Sequence, residues 1–543
     1  DDVNVRVGDA VTVSPLNNDY SPVGLDLTLD PTLYDNPGGA WVDGDKIRFE
    51  APAVPGRVTA TYQVKDSLGR KSSTVVRFNV ISPDIVNQAP IPQMVTGRVL
   101  AGTTQRIEIP LQNIDPNGDS VRLVGLGSGP KLGRILSVGA TYLEYEAFAK
   151  MAGTDTFTYT VVDAYGAKAT GDIRVGVVPA GISNTEPTAN QDVITTRPGR
   201  TVYIQPLAND SDPDGDKISL ADKDPVTISL PAQVVDTAAI QVTVPDQAGT
   251  WFGTYRIQDA RGAMAVGDLV ITADPNAPLQ APRAFDDLVD AREVFQRDTV
   301  DVPVLANDYD PDGLRSDLTL SVPASDASGG LPAVAVFTTS GWQLRVPIGD
   351  RLRVFRYTIT DADGLSASAF VTVPGKSDAT PWLKDPTVEV TVTAGQLLHI
   401  PVAQYVSGTQ GRQVVLSSAD KVSGAPGIGR RDSASELTYQ PGDADVGAAA
   451  ITFEVVEDVD ASVTDARSAT LTIRIKVLPR AETKTGTGNG PNSRELNQPP
   501  YAPTPIEIKA GNGEDPTEQN LQSFLVDPEG DAILVGGFES QLP

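Results

Sequence analysis

The chain of 543 residues contains no cysteine, one histidine and three methionines. Without cysteine it can form no disulfide and no thiolate-ligated zinc, haem or iron–sulfur site. A catalytic triad, or any other pair of a nucleophile and a histidine base, would depend on His399, and no partner pattern surrounds that residue. We therefore expect no catalytic residue in these 543 residues and predict that the chain is not an enzyme.

Long apolar runs and an excess of positive charge are also missing. No stretch reaches 18 apolar residues, so we expect no membrane-spanning helix. The chain has 43 Lys and Arg against 70 Asp and Glu, a formal net charge of −27. Nucleic-acid binding normally needs a basic field, so nucleic acid is not an expected partner. Both ends are abrupt, and we expect the sequence to be a piece of a longer protein.

A repeat of about one hundred residues organises the chain. Each copy contains an aromatic residue, an apolar residue two positions later and an acid two positions after that. Apolar and polar residues alternate on both sides of the acid, and four copies have a glycine three residues after it, which together predict a β-hairpin. The acids, which are 97, 96, 102 and 96 residues apart, are Asp66, Asp163, Asp259, Asp361 and Glu457.

An acidic loop recurs upstream of these hairpins. Its fullest copies read LANDSDPDGD at residues 207–216 and LANDYDPDG at residues 305–313, and looser copies lie at residues 113–119 and 17–24. The fifth copy has lost the loop, and a last one at residues 527–531 has no hairpin after it. The chain therefore contains five modules and the first part of a sixth.

Short proline-rich links between the copies suggest the module boundaries. Helical periodicity is nearly absent, so we predict an all-β protein, a tandem array of β-sandwiches. The predicted segments are module 1 at residues 1–83 (start truncated), module 2 at 84–180, module 3 at 181–276, module 4 at 277–375, the divergent module 5 at 376–480, a flexible linker at 481–496 and the first part of module 6 at 497–543.

Three motifs together resemble bacterial immunoglobulin-like repeats of the cadherin-like kind. They are an Asp pair such as Asp286 and Asp287, the LANDxDPDG loop and the hairpin sequence that ends at Asp163. The resemblance implies Greek-key immunoglobulin-like sandwiches of seven or so strands. It also implies a place in a large secreted or surface-anchored protein, as part of an adhesin or stalk. We expect an extended rod whose modules contact only their neighbours in the chain, acting as a stalk or spacer at the cell surface.

The acidic loops are the candidate calcium sites. Acids at alternate positions followed by glycine have the spacing that wraps oxygen ligands around calcium, but the bidentate Glu at position twelve is missing. The same x-P-D-G-x sequence predicts an ordinary β-turn, and both interpretations stay open. Asp259 or Asp287 could approach from a neighbouring loop. The candidate ligands are Asp115, Asn117, Asp119, Asp210, Asp212, Asp214, Asp216, Asp308, Asp310 and Asp312.

The aromatic residues divide into repeated and unrepeated ones. The hairpin aromatic occurs in every module, and Phe replaces Tyr once, so we assign it to the core. The four tryptophans do not repeat, which favours individual packing over an array of carbohydrate platforms. A different hypothesis is that one divergent module binds a surface glycan or a protein. Module 5 is the first candidate because it lacks the acidic loop and carries a glycine-rich stretch at residues 423–429, although drift explains the same facts.

Overall fold

The computed structural model describes residues 1–179, 184–215, 217–236, 238–323, 332–339, 341–458 and 467–480. Residues 1–480 form one compact unit, and residues 481–543 form a second unit that lies outside the described residues. The predicted flexible linker and the predicted start of module 6 fall in that second unit. Asp216, one of the candidate ligands, also lies outside the described residues.

Modules 1 and 2 share one plan of seven strands in two sheets. The strands of module 1 are β1 (Asp2–Arg6), β2 (Ala10–Val13), β3 (Leu27–Leu29), β4 (Ala40–Asp43), β5 (Lys46–Glu50), β6 (Gly56–Asp66) and β7 (Lys71–Ile81). Those of module 2 are β8 (Val95–Leu100), β9 (Thr104–Glu108), β10 (Val121–Ser128), β11 (Gly133–Val138), β12 (Tyr142–Ala147), β13 (Gly153–Asp163) and β14 (Lys168–Val178). The sheets have the orders β1-β7-β6-β3 and β2-β5-β4, then β8-β14-β13-β10 and β9-β12-β11.

Module 3 keeps this plan and divides the strand that follows its acidic loop. Its strands are β15 (Asp192–Thr196), β16 (Thr201–Ile204), β17 (Ser219–Leu220), β18 (Val226–Ile228), β19 (Ala232–Val235), β20 (Ala239–Thr243), β21 (Gly249–Gln258) and β22 (Met264–Ala273). The sheet orders are β15-β22-β21-β17, with β18 also on β21, and β16-β20-β19.

Module 4 has the same two sheets and one short helix. Its elements are β23 (Asp287–Leu288), α1 (Ala291–Val294), β24 (Thr299–Val302), β25 (Thr319–Ser321), β26 (Val334–Thr338), β27 (Gly341–Pro347), β28 (Arg353–Thr360) and β29 (Ser366–Val373). The sheet orders are β23-β29-β28-β25 and β24-β27-β26.

Module 5 adds a two-stranded ribbon to the plan. Its elements are β30 (Trp382–Leu383), β31 (Glu389–Thr393), β32 (Leu398–Pro401), α2 (Val402–Tyr405), β33 (Val406–Ser407), β34 (Val414–Leu416), β35 (Val422–Ala425), β36 (Ile428–Arg431), β37 (Glu436–Gln440), β38 (Gly447–Glu457) and β39 (Ser468–Leu478). The orders are β31-β39-β38-β34, with β35 also on β38, then β32-β37-β36, and the ribbon β30-β33.

The last two strands of every module form the predicted antiparallel hairpin. The first long-sheet strand of each module pairs in parallel with the last. Each module also encloses its own hydrophobic cluster, because alternate residues of both sheets point inward. These features confirm the prediction of tandem immunoglobulin-like β-sandwiches. The hairpin aromatics, which are at most 1 % exposed, are Tyr62, Tyr159, Tyr255, Tyr357 and Phe453.

Modules that are distant in the chain also contact one another within residues 1–480. Arg48 of module 1 donates to Asp286 of module 4 at 2.5 Å, and Trp41 lies 5.4 Å from Phe370 between ring centroids. Arg134 of module 2 donates to Glu389 of module 5 at 2.9 Å. The expectation that modules contact only their neighbours in an extended rod is therefore wrong for this unit. Arginines and aromatic residues of one module contact residues of a module that is distant in the chain. The periodic pattern within a single module does not predict such contacts.

Candidate metal sites at the module junctions

The acidic loop of module 2 is built as a turn. One carboxylate oxygen of Asp115, Oδ1, accepts hydrogen bonds from the backbone N–H groups of Asn117 and Asp119 at 2.8 and 3.1 Å. Gly118 closes the turn with φ +72° and donates its N–H to the Asp115 carbonyl at 3.0 Å. These are the local bonds by which aspartate stabilises a turn. They leave the second oxygen, Asp115 Oδ2, buried and without a hydrogen-bond partner.

The hairpin acid of the same module lies beside this loop. Ligand oxygens of Asp115, Asp119 and Asp163 are all within 4.8 Å of one another, and the three residues are 7 %, 5 % and 1 % exposed. Two oxygens on opposite sides of one calcium ion lie at most about 5 Å apart, so this spacing fits a shared ion. The sequence reasoning named two of the three and missed Asp163, although the periodic hairpin acid was the available signal.

Burial and mutual repulsion act on these carboxylates. Burial raises the pKa of Asp115 to about 6, and the charges of Asp119 and Asp163 add to the effect. Burial also raises the pKa of Asp119, against the opposing effect of Arg6. A raised carboxyl pKa means that the charged form is short of compensating charge. The cluster is therefore electrostatically suited to a cation.

Arg6 of module 1 supplies part of that compensation. The side chain of Arg6 is 2 % exposed, and its guanidinium donates to both oxygens of Asp119 at 2.6 and 2.9 Å and lies 4.0 Å above the ring of Tyr165. The linker joins the same junction, since Asn87 donates to Asp163 at 2.7 Å and the Gln88 N–H donates to the Asn117 side chain at 2.7 Å. The acidic loop of module 2 thus faces module 1 and the linker between them.

Module 4 also has three buried acids at its junction, but they are not among the described acids whose ligand oxygens all lie within 4.8 Å of one another, and Leu314 stands at the position of Asp119. Asp310, Asp312 and Asp361 are 4 %, 2 % and 6 % exposed. Oδ1 of Asp312 and Oδ2 of Asp361 have no hydrogen-bond partner. Burial raises the pKa of Asp310 to about 6, with the charges of Asp312 and Asp361 contributing, and raises that of Asp312 as well. The loop faces the preceding module here too, because the Tyr203 N–H donates to the Pro311 carbonyl at 3.0 Å.

The loop of module 3 is more open. Asp212 Oδ1 accepts from the Asp214 N–H at 2.8 Å, as in the other loops. Asp214 accepts from the Thr185 N–H at 2.7 Å, and Asn184 donates to Asp259 at 2.6 Å. The linker into module 3 therefore bridges the loop and the hairpin acid. Of the two acids expected to approach from neighbouring loops, Asp259 occupies this junction position.

The first aspartate of each full motif faces the core instead. Tyr255 donates its hydroxyl to Asp210 at 2.9 Å, and Tyr357 donates to the fully buried Asp308 at 3.0 Å. Burial raises the pKa of Asp308 to about 7 and that of neighbouring Asp287 to about 8. These aspartates hold the tyrosine hydroxyl, which sequence reasoning had treated as secondary to ring volume. The second and third acids of the motif and the hairpin acid form the junction cluster.

In modules 1 and 5 the hairpin acid is paired with an arginine. Arg70 lies 2.6 Å from Asp66 in module 1, and Arg412 lies 2.9 Å from Glu457 in module 5. Thr409 also donates to Glu457 through both its N–H and its hydroxyl. Among the described residues, the carboxylate group whose ligand oxygens are close enough to share one ion is therefore that of module 2, Asp115, Asp119 and Asp163.

The single histidine stands apart from these junctions. Nδ1 of His399 lies 3.1 Å from Glu436 on the neighbouring strand, and its side chain is 56 % exposed. Among the described residues, the hydrogen-bond partner of the ring is the Glu436 carboxylate.

Among the described residues, no helix has the length and hydropathy needed to cross a bilayer.

Solved structures that are similar to this chain include three multi-domain ectodomains. The human desmocollin-1 ectodomain is 12 % identical, with 86 % of this chain and 95 % of that chain covered and a TM-score of 0.17. Drosophila N-cadherin EC1-4 is 13 % identical, with coverages of 71 % and 99 % and a TM-score of 0.19. Sidekick-1 immunoglobulin domains 1-5 are 13 % identical, with coverages of 88 % and 98 % and a TM-score of 0.18. At such scores the whole chains do not superpose, so the likeness carries no argument about function.

No curated protein matches the chain. A sequence model of the family described as "Bacterial Ig domain" matches residues 87–176, 184–272 and 279–374. These segments are consecutive, fall in modules 2, 3 and 4, and together cover just over half of the chain. The chain therefore belongs to the bacterial immunoglobulin-like domain family, with three matched domains in tandem.

Proposed function

We propose that this chain is a structural part of a bacterial surface or secreted protein, a stalk or spacer whose module junctions are stabilised by calcium. Its immunoglobulin-like modules position whatever adjoins them, and the proposal assigns no catalytic step to them. The observation that carries the calcium part is the cluster of Asp115, Asp119 and Asp163 with its unpartnered Asp115 oxygen. A cell-surface location is part of the proposal and follows from the kind of protein that contains such arrays.

The distribution of hydrogen bonds supports a ligand beyond the turn. Turn formation accounts for Oδ1 of Asp115, yet a buried carboxylate oxygen without a partner normally costs free energy. Two further oxygens of this kind lie in module 4, on Asp312 and Asp361, although the residue equivalent to Asp115 there is Asp310. Calcium accepts several carboxylate and carbonyl oxygens in flexible geometry, so it suits loops that lack a complete EF-hand ligand set.

Arg6 makes the first junction different from that of module 4. Its guanidinium already compensates one carboxylate of the module 2 cluster. In module 4, Arg200 of the preceding module binds Asp363 at 2.7 Å and reaches Asp310 and Asp312 only through longer-range attraction. We therefore propose that the module 2 cluster is the principal calcium site, and that Arg6 reduces the negative charge which the ion has to balance there.

Thermal unfolding of the full chain tests the proposal. Calcium in the millimolar range should raise the melting temperature relative to excess chelator, because a ligand that binds only the folded state stabilises it by about 2.7 kcal/mol at a hundredfold excess over its Kd. Substituting Asp115→Asn together with Asp163→Asn should remove most of that rise. Asp312→Asn should remove a smaller part.

The matched control is Asp45→Asn, an exposed acid in the turn between β4 and β5. This variant should keep the full calcium response, and magnesium at equal concentration should give a smaller one because it demands stricter octahedral geometry. A melting temperature that does not change between calcium and chelator would show that the loops are turns alone. An equal calcium response in all variants would place the ion elsewhere.

A further inference from the structure

The outer face of the long sheet of module 3 carries a row of apolar side chains. Val193 of β15, Val270 of β22 and Phe252 of β21 stand beside one another in register. Ile194 and Ile271, the next residues in the chain after the two valines, pack in the core of the module, so the row points away from that core. Val193 is 62 % exposed and Phe252 is 73 % exposed. Module 3 therefore presents a contiguous apolar surface to solvent.

The face around this row is large enough for a small protein interface. Val266, farther along β22, is a further exposed apolar residue on it. The strands β21 and β22 have ten residues each, which makes the face about 34 Å long, and four strands make it roughly 15–20 Å wide. Two such faces in contact bury on the order of 1,000 Å², the lower limit for a specific interface.

The same row is polar in modules 1 and 2. Equivalent positions follow from the register of each hairpin, counted from its core aromatic residue. An arginine occupies the middle position in both modules, and its neighbours on the adjacent strands are threonine or aspartate. These rows are Asp2, Arg77 and Thr59 in module 1 and Thr96, Arg174 and Thr156 in module 2.

In modules 4 and 5 the equivalent row lies against another module. Val354 and Thr372 of module 4 line a small cavity together with residues of modules 1 and 2. Glu389 of module 5 accepts a hydrogen bond from Arg134 of module 2 at 2.9 Å. The outer face of the long sheet is thus a docking surface between immunoglobulin-like modules in this chain. In module 3 the row is apolar as well, yet its exposure shows that none of the described residues covers it.

The charges on this face are complementary to themselves. Arg256 of β21 stands opposite Val266, and Asp268 of β22 stands opposite Thr254, so the two charged residues are diagonal neighbours on one face. Both are exposed. A two-fold axis brings the same face of two copies together, which allows Arg256 of each copy to meet Asp268 of the other. Such pairing matters because two chains of net charge −27 repel each other at long range.

We propose that module 3 joins two copies of this chain through the outer face of its long sheet, with two-fold symmetry. Phe252, Val193 and Val270 form the apolar centre of the interface. Arg256 pairs with Asp268 of the second copy, once on each side of the axis. The dimer goes beyond the stalk function proposed above, because it holds two stalks side by side, and it does not use the acidic clusters.

Sedimentation equilibrium of the full chain tests the proposal at about 0.15 M salt, where charges more than about 8 Å apart are largely screened. The average mass should rise toward twice that of one chain as the concentration increases through the micromolar range, equally in calcium and in chelator. Phe252→Ser should raise the dimer Kd on the order of a hundredfold, because it removes a central apolar contact from both copies. Val193→Ser should raise it less.

Reversing the charges tests the orientation of the two copies. Arg256→Asp should weaken the dimer, and adding Asp268→Arg should restore it, since the ion pair forms again with opposite signs. Phe337→Ser is the matched control, because this phenylalanine of β26 in module 4 is 69 % exposed and lies outside the face. It should leave the Kd unchanged. Thermal unfolding establishes that each variant is folded.

Four outcomes would overturn the proposal. The full chain could stay monomeric throughout the concentration range, or it could assemble beyond a dimer. Phe252→Ser could dimerise as tightly as the wild type, which would place the contact elsewhere. The doubly reversed variant could fail to recover what Arg256→Asp loses, which would exclude the two-fold pairing. Failure of the calcium test would leave these outcomes unaffected.

Discussion

The two carboxylate oxygens of Asp115 have different roles. One oxygen stabilises the turn, and the other belongs to the candidate metal site. From the sequence, the turn and the calcium site were alternatives, since both use the same residues. In the folded chain, Oδ1 accepts two backbone N–H bonds and Oδ2 remains without a partner. The two interpretations are therefore compatible at the scale of one side chain.

The spacing of the loop acids was visible in the sequence, but their orientations were not. Asp210 and Asp308 turn toward a core tyrosine hydroxyl that comes from a distant hairpin strand. The tertiary fold also brings Asp163 to the module 2 cluster, because the Greek-key connection places the end of its hairpin strand beside the acidic loop. Contacts of this kind depend on the tertiary fold, and local periodicity does not encode them.

Asp287 gives a pH prediction at this scale. Burial raises its pKa to about 8 and that of Asp308 to about 7, above the ordinary value of about 4. A carboxyl whose pKa is raised in the folded state contributes full stability below its unfolded pKa. That contribution disappears as the pH rises through about 7 to 8. The melting temperature in chelator should therefore fall between pH 6 and pH 9.

Asp287→Asn should make that fall smaller, because the amide cannot ionise. The measurement is the melting temperature of the full chain at several pH values, with Asp350→Asn as an exposed control in the same module. An identical pH slope in wild type and Asp287→Asn would contradict the assignment of the slope to this carboxyl.

At the element scale, the alternation of apolar and polar residues predicts the hairpins and sheets. The modules differ from one another mainly in the loops between these strands. The predicted hairpin of each module is present with an unbroken antiparallel register, as between β13 and β14. The strand after the acidic loop varies instead, from eight residues in β10 to the separate β17 and β18.

Gly118 lies where the acidic loop of module 2 approaches module 1, so substituting it tests how close that approach must be. A Cβ at this position would lie 2.0 Å from the Asn4 carbonyl oxygen of β1, and φ is +72°. Gly215, its equivalent in module 3, has φ +80° with nothing within 4 Å of such a Cβ. Both Gly→Ala variants suffer backbone strain of about 1–2 kcal/mol, but only Gly118→Ala adds a collision with module 1.

We expect Gly118→Ala to lower the melting temperature more than Gly215→Ala does and to speed amide hydrogen exchange in β1. Exchange in module 3 should be unaffected by Gly118→Ala. Equal effects of the two substitutions on stability would show that backbone strain alone matters and that the contact with module 1 does not.

At the scale of the whole described unit, the tandem immunoglobulin-like fold was predictable, and the mutual arrangement of the modules was not. The hairpin repeat indicates the kind of sandwich that recurs. The contacts of module 1 with module 4 and of module 2 with module 5 include arginines, Arg48 and Arg134, that no repeat singles out.

Arg134 provides the test of that arrangement. Its Nη1 donates to Glu389 at 2.9 Å and also lies 3.3 and 3.4 Å from the carbonyls of Ala449 and Ile475. Arg134→Glu would place a carboxylate against Glu389 and leave these carbonyls without their donor. Small-angle X-ray scattering of the full chain should then give a larger radius of gyration.

Arg106→Glu makes the same charge change on an exposed residue of module 2 and should not alter the radius. If Arg134→Glu scatters like the wild type while remaining folded, the contact between modules 2 and 5 does not hold the array together. Thermal unfolding of both variants establishes that they are folded.

The parallel pairing of first and last strands has a mechanical consequence. Force applied to the two ends of a module loads all hydrogen bonds of this pair at once, in shear, so that none can open ahead of the others. Five residue pairs join β1 to β7 and six join β8 to β14, whereas only Asp287 and Leu288 of β23 pair with β29. Under tension module 4 is thus the weakest link, and it would lengthen first while its neighbours stay intact.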